Sequence, residues 1–377
     1  MRAQARMDRF QEKNYSRIKI FLLNKNFKGF TKKDLFIMQF IKKGWGQDIA
    51  ALSNMAEALT NIAISEQKPL DEIKELMIEL VKKALHKSVS PYKQDISNIK
   101  SLGQYGYYLE HLNIILGCYQ RVINDDYIEL NRRVSEHLLA NSMKYSNYHA
   151  PLLPNSKMKW AADQAAIIYS LWLFDMNNKT SLHIELADKW IEYMKQKGTH
   201  KSTGLFITEV QNVKKFSNQP RGCALSYLIH YMSKFEPEVA QEQWGLYKKH
   251  MLVKRIGFKC FREYLPNYKS KWTPDSGPII AGVGIAASGL GMNAATSVKD
   301  IETFLLIYKG AKAVLLLISG CPSNVELILF INVVVALLAI GPGNASSVSS
   351  IIPLTPNCVS AYVNTLLLSL AFSKYTV

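Results

Sequence analysis

Two aspartates stand at the front edges of apolar stretches. Asp163 lies in "WAADQAAIIYSLWLFD", residues 160–175, and Asp275 opens "DSGPIIAGVGIAASGLG", residues 275–291. Two carboxylates facing one ligand can do general acid/base chemistry, one holding a proton and the other ionised. Similar stretches begin nearby in type. Trp45, Gln47 and Asp48 open the one from Gly44, and Gln104, Tyr105 and Tyr108 open the one from Gly103. Trp160 precedes Asp163, Arg221 opens "RGCALSYLIHYM", and Ser276 follows Asp275. Trp and Tyr offer flat faces to a ring or an apolar ligand. Arg221 offers a planar clamp for a carboxylate or another anion.

Each residue also has an ordinary structural role. Asp and Ser cap helices, and Asp in a first turn is favoured by the helix dipole. Pro278 fits a first turn. A cap, however, does not require Trp and Tyr beside it. Glu110, His111 and Cys223 are weaker candidates, since a lone His inside a helix is usually a satisfied core residue and a buried Cys a small hydrophobe.

The elements that position these residues alternate in character. Each apolar segment is followed by an amphipathic one: Gly44 onward by "DEIKELMIELVKKALHK" from Asp71, and Gly103 onward by the segment from Asp125. Trp160 onward is followed by "SLHIELADKWIEYMKQKG" from Ser181, Arg221 onward by the segment from Glu236, and Asp275 onward by the segment from Ser297. A helix apolar all round is buried on every side, and an amphipathic one covers it. The starts at 44, 103, 160, 221 and 275 are 59, 57, 61 and 54 residues apart. Such spacing is an internal repeat of helical hairpins. A sixth is due near "NVELILFINVVVALLAIG", residues 324–341. Six hairpins closing on themselves give an all-α fold, an (α/α)6 toroid with an apolar inner ring and an amphipathic outer ring. An open solenoid would want a polar last repeat, and the C-terminal region is the least polar part of the chain.

The starts "GQYGYY", "WAADQA", "RGCALS" and "DSGP", with "STGLF" at 202–206, resemble those of the six-hairpin α/α-toroid enzymes over roughly residues 44–300. That superfamily includes glycoside hydrolases, uronic-acid epimerases and lyases, and the linalool dehydratase-isomerase group. The resemblance implies a central cavity at the rim where the inner helices start. It also implies an enzyme acting by acid/base catalysis on a carbohydrate or uronate-like substrate, with Asp163 and Asp275 as the catalytic pair. A terpenoid-type dehydratase or isomerase with an apolar substrate is the alternative, and a non-catalytic, membrane-associated scaffold is a third reading.

Composition narrows the partners. The chain has 377 residues and a formal charge of +16, and residues 1–43 hold twelve Lys/Arg against three Asp/Glu. No zinc finger or RNA-binding signature accompanies that charge, so nucleic acid is not expected. The basic segment "RIKIFLLNKNFKGF", residues 17–30, suits either a membrane surface or the protein's own core. Five scattered cysteines without a CxxC pair argue against structural zinc and a disulfide framework. "GVGIAASG" lacks the strand and partner carboxylate of a dinucleotide site, so neither metal nor cofactor is expected. No secretory signal opens the chain, which points to the cytoplasm. Residues 313–377 carry only Glu326 and Lys374 as charged side chains. This low-charge region ends in a tail, 342–377, after a toroid spanning 44–341. Leu327–Ile340 falls short of the roughly 20 residues of a membrane span, but a membrane hairpin with 358–372 is the rival to a sixth inner helix.

Overall fold

The computed structural model describes residues 12, 15–28 and 47–309, apart from 155, 157–158, 212–218, 256, 270–272, 274, 277–278 and 281. The basic 1–43 segment (in large part), Trp45, the expected sixth hairpin and the 342–377 tail lie outside the described residues.

Helices alternate as the repeat requires. The inner ones are α1 (Gln47–Ile64), α3 (Gly106–Val122), α5 (Ala161–Asn178), α7 (Gly222–Phe235) and α9 (Ile285–Ser297). Between them come α2 (Leu70–Leu85), α4 (Ile128–Met143), α6 (Leu182–Lys197) and α8 (Pro237–Met251). Residues 301–309 are helical after α9. Each inner helix packs on the next: α1 on α3, α3 on α5, α5 on α7 and α7 on α9. Each outer helix packs on the inner helix before it. The result is an α/α toroid of helical hairpins, all-α among the described residues but for three two-stranded antiparallel ribbons.

The sequence dictates which helix goes where. In α5 every residue from Ala165 to Leu171 is buried, and so are Leu173 and Phe174. In α6 only Leu186, Ala187, Trp190, Ile191 and Met194 are, on one stripe. Small residues let inner helices approach: Ala286, Ala287, Ala294 and Ala295 of α9 are all fully buried. One group of polar side chains inside the ring pairs internally. Asn113 of α3 donates to Ser135 of α4 at 2.9 Å and to Ser170 of α5 at 3.0 Å, and its Oδ1 accepts from Asn131 at 2.6 Å.

One backbone device recurs at the inner-helix starts. The loop leaving an outer helix turns back and gives a carbonyl to the first turn of its own hairpin. Leu152 O accepts from Tyr107 N at 3.1 Å, Thr208 O from Ala161 N at 3.0 Å, and Glu263 O from Gly222 N at 2.9 Å. These N–H groups have no partner within their helix, so the loop replaces water there. Two backbones this close leave no room for a side chain. A Cβ on Gly106 would lie 2.3 Å from Pro151 O, and one on Gly222 would lie 2.1 Å from Arg262 O.

The fifth unit departs from the expected pattern. Asp275 does not start a helix. A ribbon, β5 (Ile279–Ile280) with β6 (Val283–Gly284), precedes α9, which begins ten residues after Asp275. The β-branched Ile279, Ile280 and Val283 favour strand. Gly282, at φ 78, makes the left-handed turn between them. Among the described residues no helix is long and apolar enough to cross a membrane.

The crossing at Gly106 is testable. Gly106→Ala should destabilise the protein by about 1–3 kcal/mol through overpacking. Gly245→Ala, inside α8 with open space around it, should instead stabilise by about 0.5–1 kcal/mol. Urea unfolding of both variants beside the wild type checks the contrast; equal effects would refute the backbone crossing.

Candidate active site

The first turns of the inner helices and the loops that cap them bring together a cluster of carboxylates. Asp163, the third residue of α5, is half-buried. Burial raises its carboxyl to about 7, and the charge of Asp275 adds to this against a backbone hydrogen bond and Glu110. Glu110, one turn into α3, is fully buried. Burial, then the neighbouring Asp163, pushes it well above the usual carboxylate range. It shares a hydrogen bond with Asp163, and His111 Nε2 lies 3.7 Å from it. Burial lowers His111 to about 3, so that ring is neutral. Glu110 is therefore a neutral acid held beside Asp163, and the two titrate as a coupled pair.

Asp275 is the opposite case. It lies in the loop before β5 with its side chain 52% exposed, 2.9 Å from Arg221 Nη1. The protein packed around it pulls its carboxyl up, but Arg221 and the Thr273 hydroxyl outweigh this and hold it below the ordinary range. Arg221 also donates through Nε to Glu263 Oε1 at 3.1 Å and through Nη2 to Thr273 Oγ1 at 2.6 Å. Glu263 is fully buried and raised to about 7 by burial, with Asp275 adding and Arg221 opposing. Its second oxygen accepts from Cys223 N at 3.2 Å, at the start of α7. The Cys223 thiol donates to Glu263 Oε1 at 3.0 Å and lies 3.8 Å from Asp275 Oδ2. Burial and then Glu263 push that thiol up, so it is neutral.

Tyr107 joins the two halves. Its hydroxyl is raised well above 10 by burial first, then by Asp163, Glu110, Asp48 and Asp275. Its ring meets His111 edge-on, with centroids 5.0 Å apart. Below it, the Tyr227 hydroxyl lies 3.3 Å from His111 Nε2 and accepts from Tyr231 at 3.0 Å.

The other expected residues are placed as follows. Trp160 is half-buried on β1 (Lys159–Trp160), paired with β2 (Glu209–Gln211), and its Nε1 donates to Glu209 at 3.2 Å. Ser276 is buried and holds its own turn, donating to Thr273 O at 3.0 Å. Gln104 is exposed in the turn before α3. Tyr105 sets its ring edge-on against Tyr92, 5.4 Å between centroids. Tyr108 is buried, its hydroxyl donating to Ala84 O at 3.1 Å and its ring also on Tyr92. Asp48 accepts from Ile49 N at 3.0 Å, in the first turn of α1. The Arg221 clamp faces protein carboxylates rather than an incoming anion. Tyr107 and Glu263 were not singled out from sequence. Tyr107 was findable, because it shares a helical face with Glu110 and His111 at spacings of three and four. Glu263 sits in a loop after β4 (Phe258–Phe261), where no periodicity marks it. Among the described residues no group of three or more His, Cys, Asp or Glu could hold a metal ion.

No family model matches the chain, and no curated protein does. Among solved structures the chain is similar to an inactive variant of the alpha-1,6-mannanase GH76A of Salegentibacter sp. HEL1_6 in complex with alpha-1,6-mannotetrose. The identity is 11%, the match covers 85% of this chain and 87% of that one, and the TM-score is 0.47.

Proposed function

We propose that this protein is an enzyme that cleaves a carbohydrate by acid/base catalysis at the rim where the inner helices start. One observation carries the reading. Two neighbouring carboxylates are driven apart in proton affinity, Asp163 raised to about 7 and Asp275 held below the ordinary range. Such a split assigns an acid and a base. Asp163 would protonate the leaving oxygen of a glycosidic bond. Asp275, kept ionised by Arg221, would stabilise the positive charge that develops on the sugar ring and take the proton of the attacking water. Tyr107 and Trp160 supply aromatic surface for the sugar.

Cys223 supports a second reading, a dehydratase or isomerase of the terpenoid type, because a neutral thiol 3.8 Å from an ionised carboxylate is a possible proton donor. The two readings part at one substitution. Cys223→Ser should leave carbohydrate cleavage within about threefold, whereas a role for the thiol in proton transfer predicts a loss of about 10²-fold or more. Steady-state assays of that variant decide between them.

Asp163→Asn should lower turnover by about 10²–10⁴-fold with the fold intact. The wild-type rate should fall on the alkaline side near pH 7, as Asp163 loses its proton. Release of reducing ends from a panel of glycans across pH 4–9 checks both. A flat profile from pH 6 to 9 would remove Asp163 as the acid.

The same carboxyl predicts a pH-dependent stability difference. Its folded-state value, about 7, lies above the ordinary 3.8. The contribution of the neutral form is therefore complete below the ordinary value and lost as pH rises through about 7. Asparagine cannot ionise. Asp163→Asn should gain stability relative to wild type between pH 4 and 8, by up to about 4 kcal/mol. Urea midpoints at the two pH values measure it; a gap that does not widen would contradict the burial of this carboxyl.

A further inference from the structure

Asp163 has a partner in the enclosed part of the site. Glu110 of α3 is fully buried and shares a hydrogen bond with the Asp163 carboxyl of α5. Two carboxyl groups can bond to one another only if at least one carries a proton, because an ionised carboxylate only accepts. Burial decides which of them holds its proton longer. Glu110 is fully buried and Asp163 half-buried, so it is Glu110.

A histidine beside such an acid is the usual rival for its proton, and here the histidine is engaged elsewhere. His111 Nε2 lies 3.7 Å from Glu110 Oε1, beyond hydrogen-bond reach. The Tyr227 hydroxyl faces the same nitrogen at 3.3 Å. Tyr227 accepts from Tyr231 at 3.0 Å, which leaves its own O–H to donate to Nε2. Burial pushes both phenols well above 10, so both keep their protons and the direction holds. Burial also lowers the imidazole to about 3, too weak a base to take a proton from a carboxyl.

Resting on the assignment of Asp163 as the acid of the proposed reaction, we infer that Glu110 is its positioning residue: the Glu110 O–H donates to the Asp163 carboxyl, and this bond tightens as Asp163 releases its proton. In that step the Asp163 O–H bond breaks. The proton passes to the leaving oxygen, and the electron pair stays on Asp163. The Glu110 O–H does not break. Before the step the hydrogen bond joins two neutral groups. After it the acceptor is a carboxylate, and a charge-assisted bond is about twice as strong. An interaction that strengthens along the reaction lowers the barrier rather than merely binding substrate. It also opposes burial, which by itself would make Asp163 cling to its proton.

The sign of one titration tests this. Among the described residues, Asp163 also feels Asp275, from the loop before β5, and lies near Tyr107 of α3. Asp48 of α1 acts on Tyr107 as well, and Arg221 at the start of α7 holds Asp275. Variants of Glu110 keep all of these groups. The probe is the carbon-13 carboxyl resonance of Asp163, assigned by its absence in Asp163→Asn. Its wild-type midpoint is expected at about 7. Glu110→Leu removes the donor at similar volume. It should raise the midpoint by about one to two units, the worth of a hydrogen bond to a charged group. Glu110→Gln keeps an N–H donor and should move it by less than about half a unit. A midpoint that falls in Glu110→Leu makes Glu110 a negative neighbour and overturns the inference, and so does one that stays put. If neither variant folds, the intact protein carries the test. There the Glu110 resonance should keep its protonated position while Asp163 titrates, and a Glu110 that ionises first overturns the donor role. On a glycan that is cleaved, kcat of Glu110→Leu should fall about tenfold with KM within about threefold, and the alkaline limb should rise with the titration. A purely structural Glu110 would not move that limb. Titrations that behave as expected, with no glycan cleaved, leave the donor role standing and remove the carbohydrate reading.

Discussion

The return of the loop to the helix start of its own hairpin, seen at three hairpins, governs this structure. A helix begins with N–H groups that nothing inside the helix can satisfy. On an outer helix water takes them. On an inner helix, enclosed by neighbours, they need protein acceptors, and the loop after the following outer helix provides them. Leu152, Thr208 and Glu263 give their carbonyls to Tyr107, Ala161 and Gly222. The same step that satisfies the backbone delivers the loop's side chains to the rim. Glu263 is the clearest case: its carbonyl caps α7, and its carboxylate reaches Cys223 N and Arg221.

The chemistry at the rim follows from this enclosure. Carboxylates drawn in to meet helix starts lose water, and the loss raises those without a counter-charge, as at Glu110 and Asp163. Asp275 shares the neighbourhood but also touches Arg221, and it stays ionised. Glu263 touches the same guanidinium but is fully buried, and burial raises it to about 7 all the same.

The hairpin repeat was legible because burial imposes it on composition. A helix enclosed on all sides must be apolar all round, so "AAIIYSLWLF" reads as inner and "IELADKWIEYM" as outer. The starts at 44, 103, 160 and 221 fall within three residues of the observed helices. The fifth was misread: apolarity alone does not separate strand from helix over a short run, and Ile279–Gly284 forms a ribbon. Asp163, Asp275, Arg221, Cys223 and Glu110 do come together, because each lies at or near a rim-facing turn. The sequence reading names Tyr108, but helical phase puts Tyr107 on one face with Glu110 and His111. Glu263 and Thr273 were invisible, since irregular loops carry no period and their positions depend on backbone contacts far away in sequence.

The column of rings beneath the rim has a consequence for traffic. Tyr227 of α7 stands edge-on to Tyr231, with centroids 4.6 Å apart, and Tyr231 stacks on Tyr169 of α5 at 5.0 Å. Tyr227 reaches His111 of α3. Still deeper, His230 of α7 meets Glu57 of α1 at 3.4 Å and Ser297 of α9 at 2.7 Å. Side chains from all five described inner helices thus meet in one packed column. On the proposed function, a sugar held between Asp163 and Asp275 would meet this column on one side, and substrate and product would pass on the side where Asp275 is exposed.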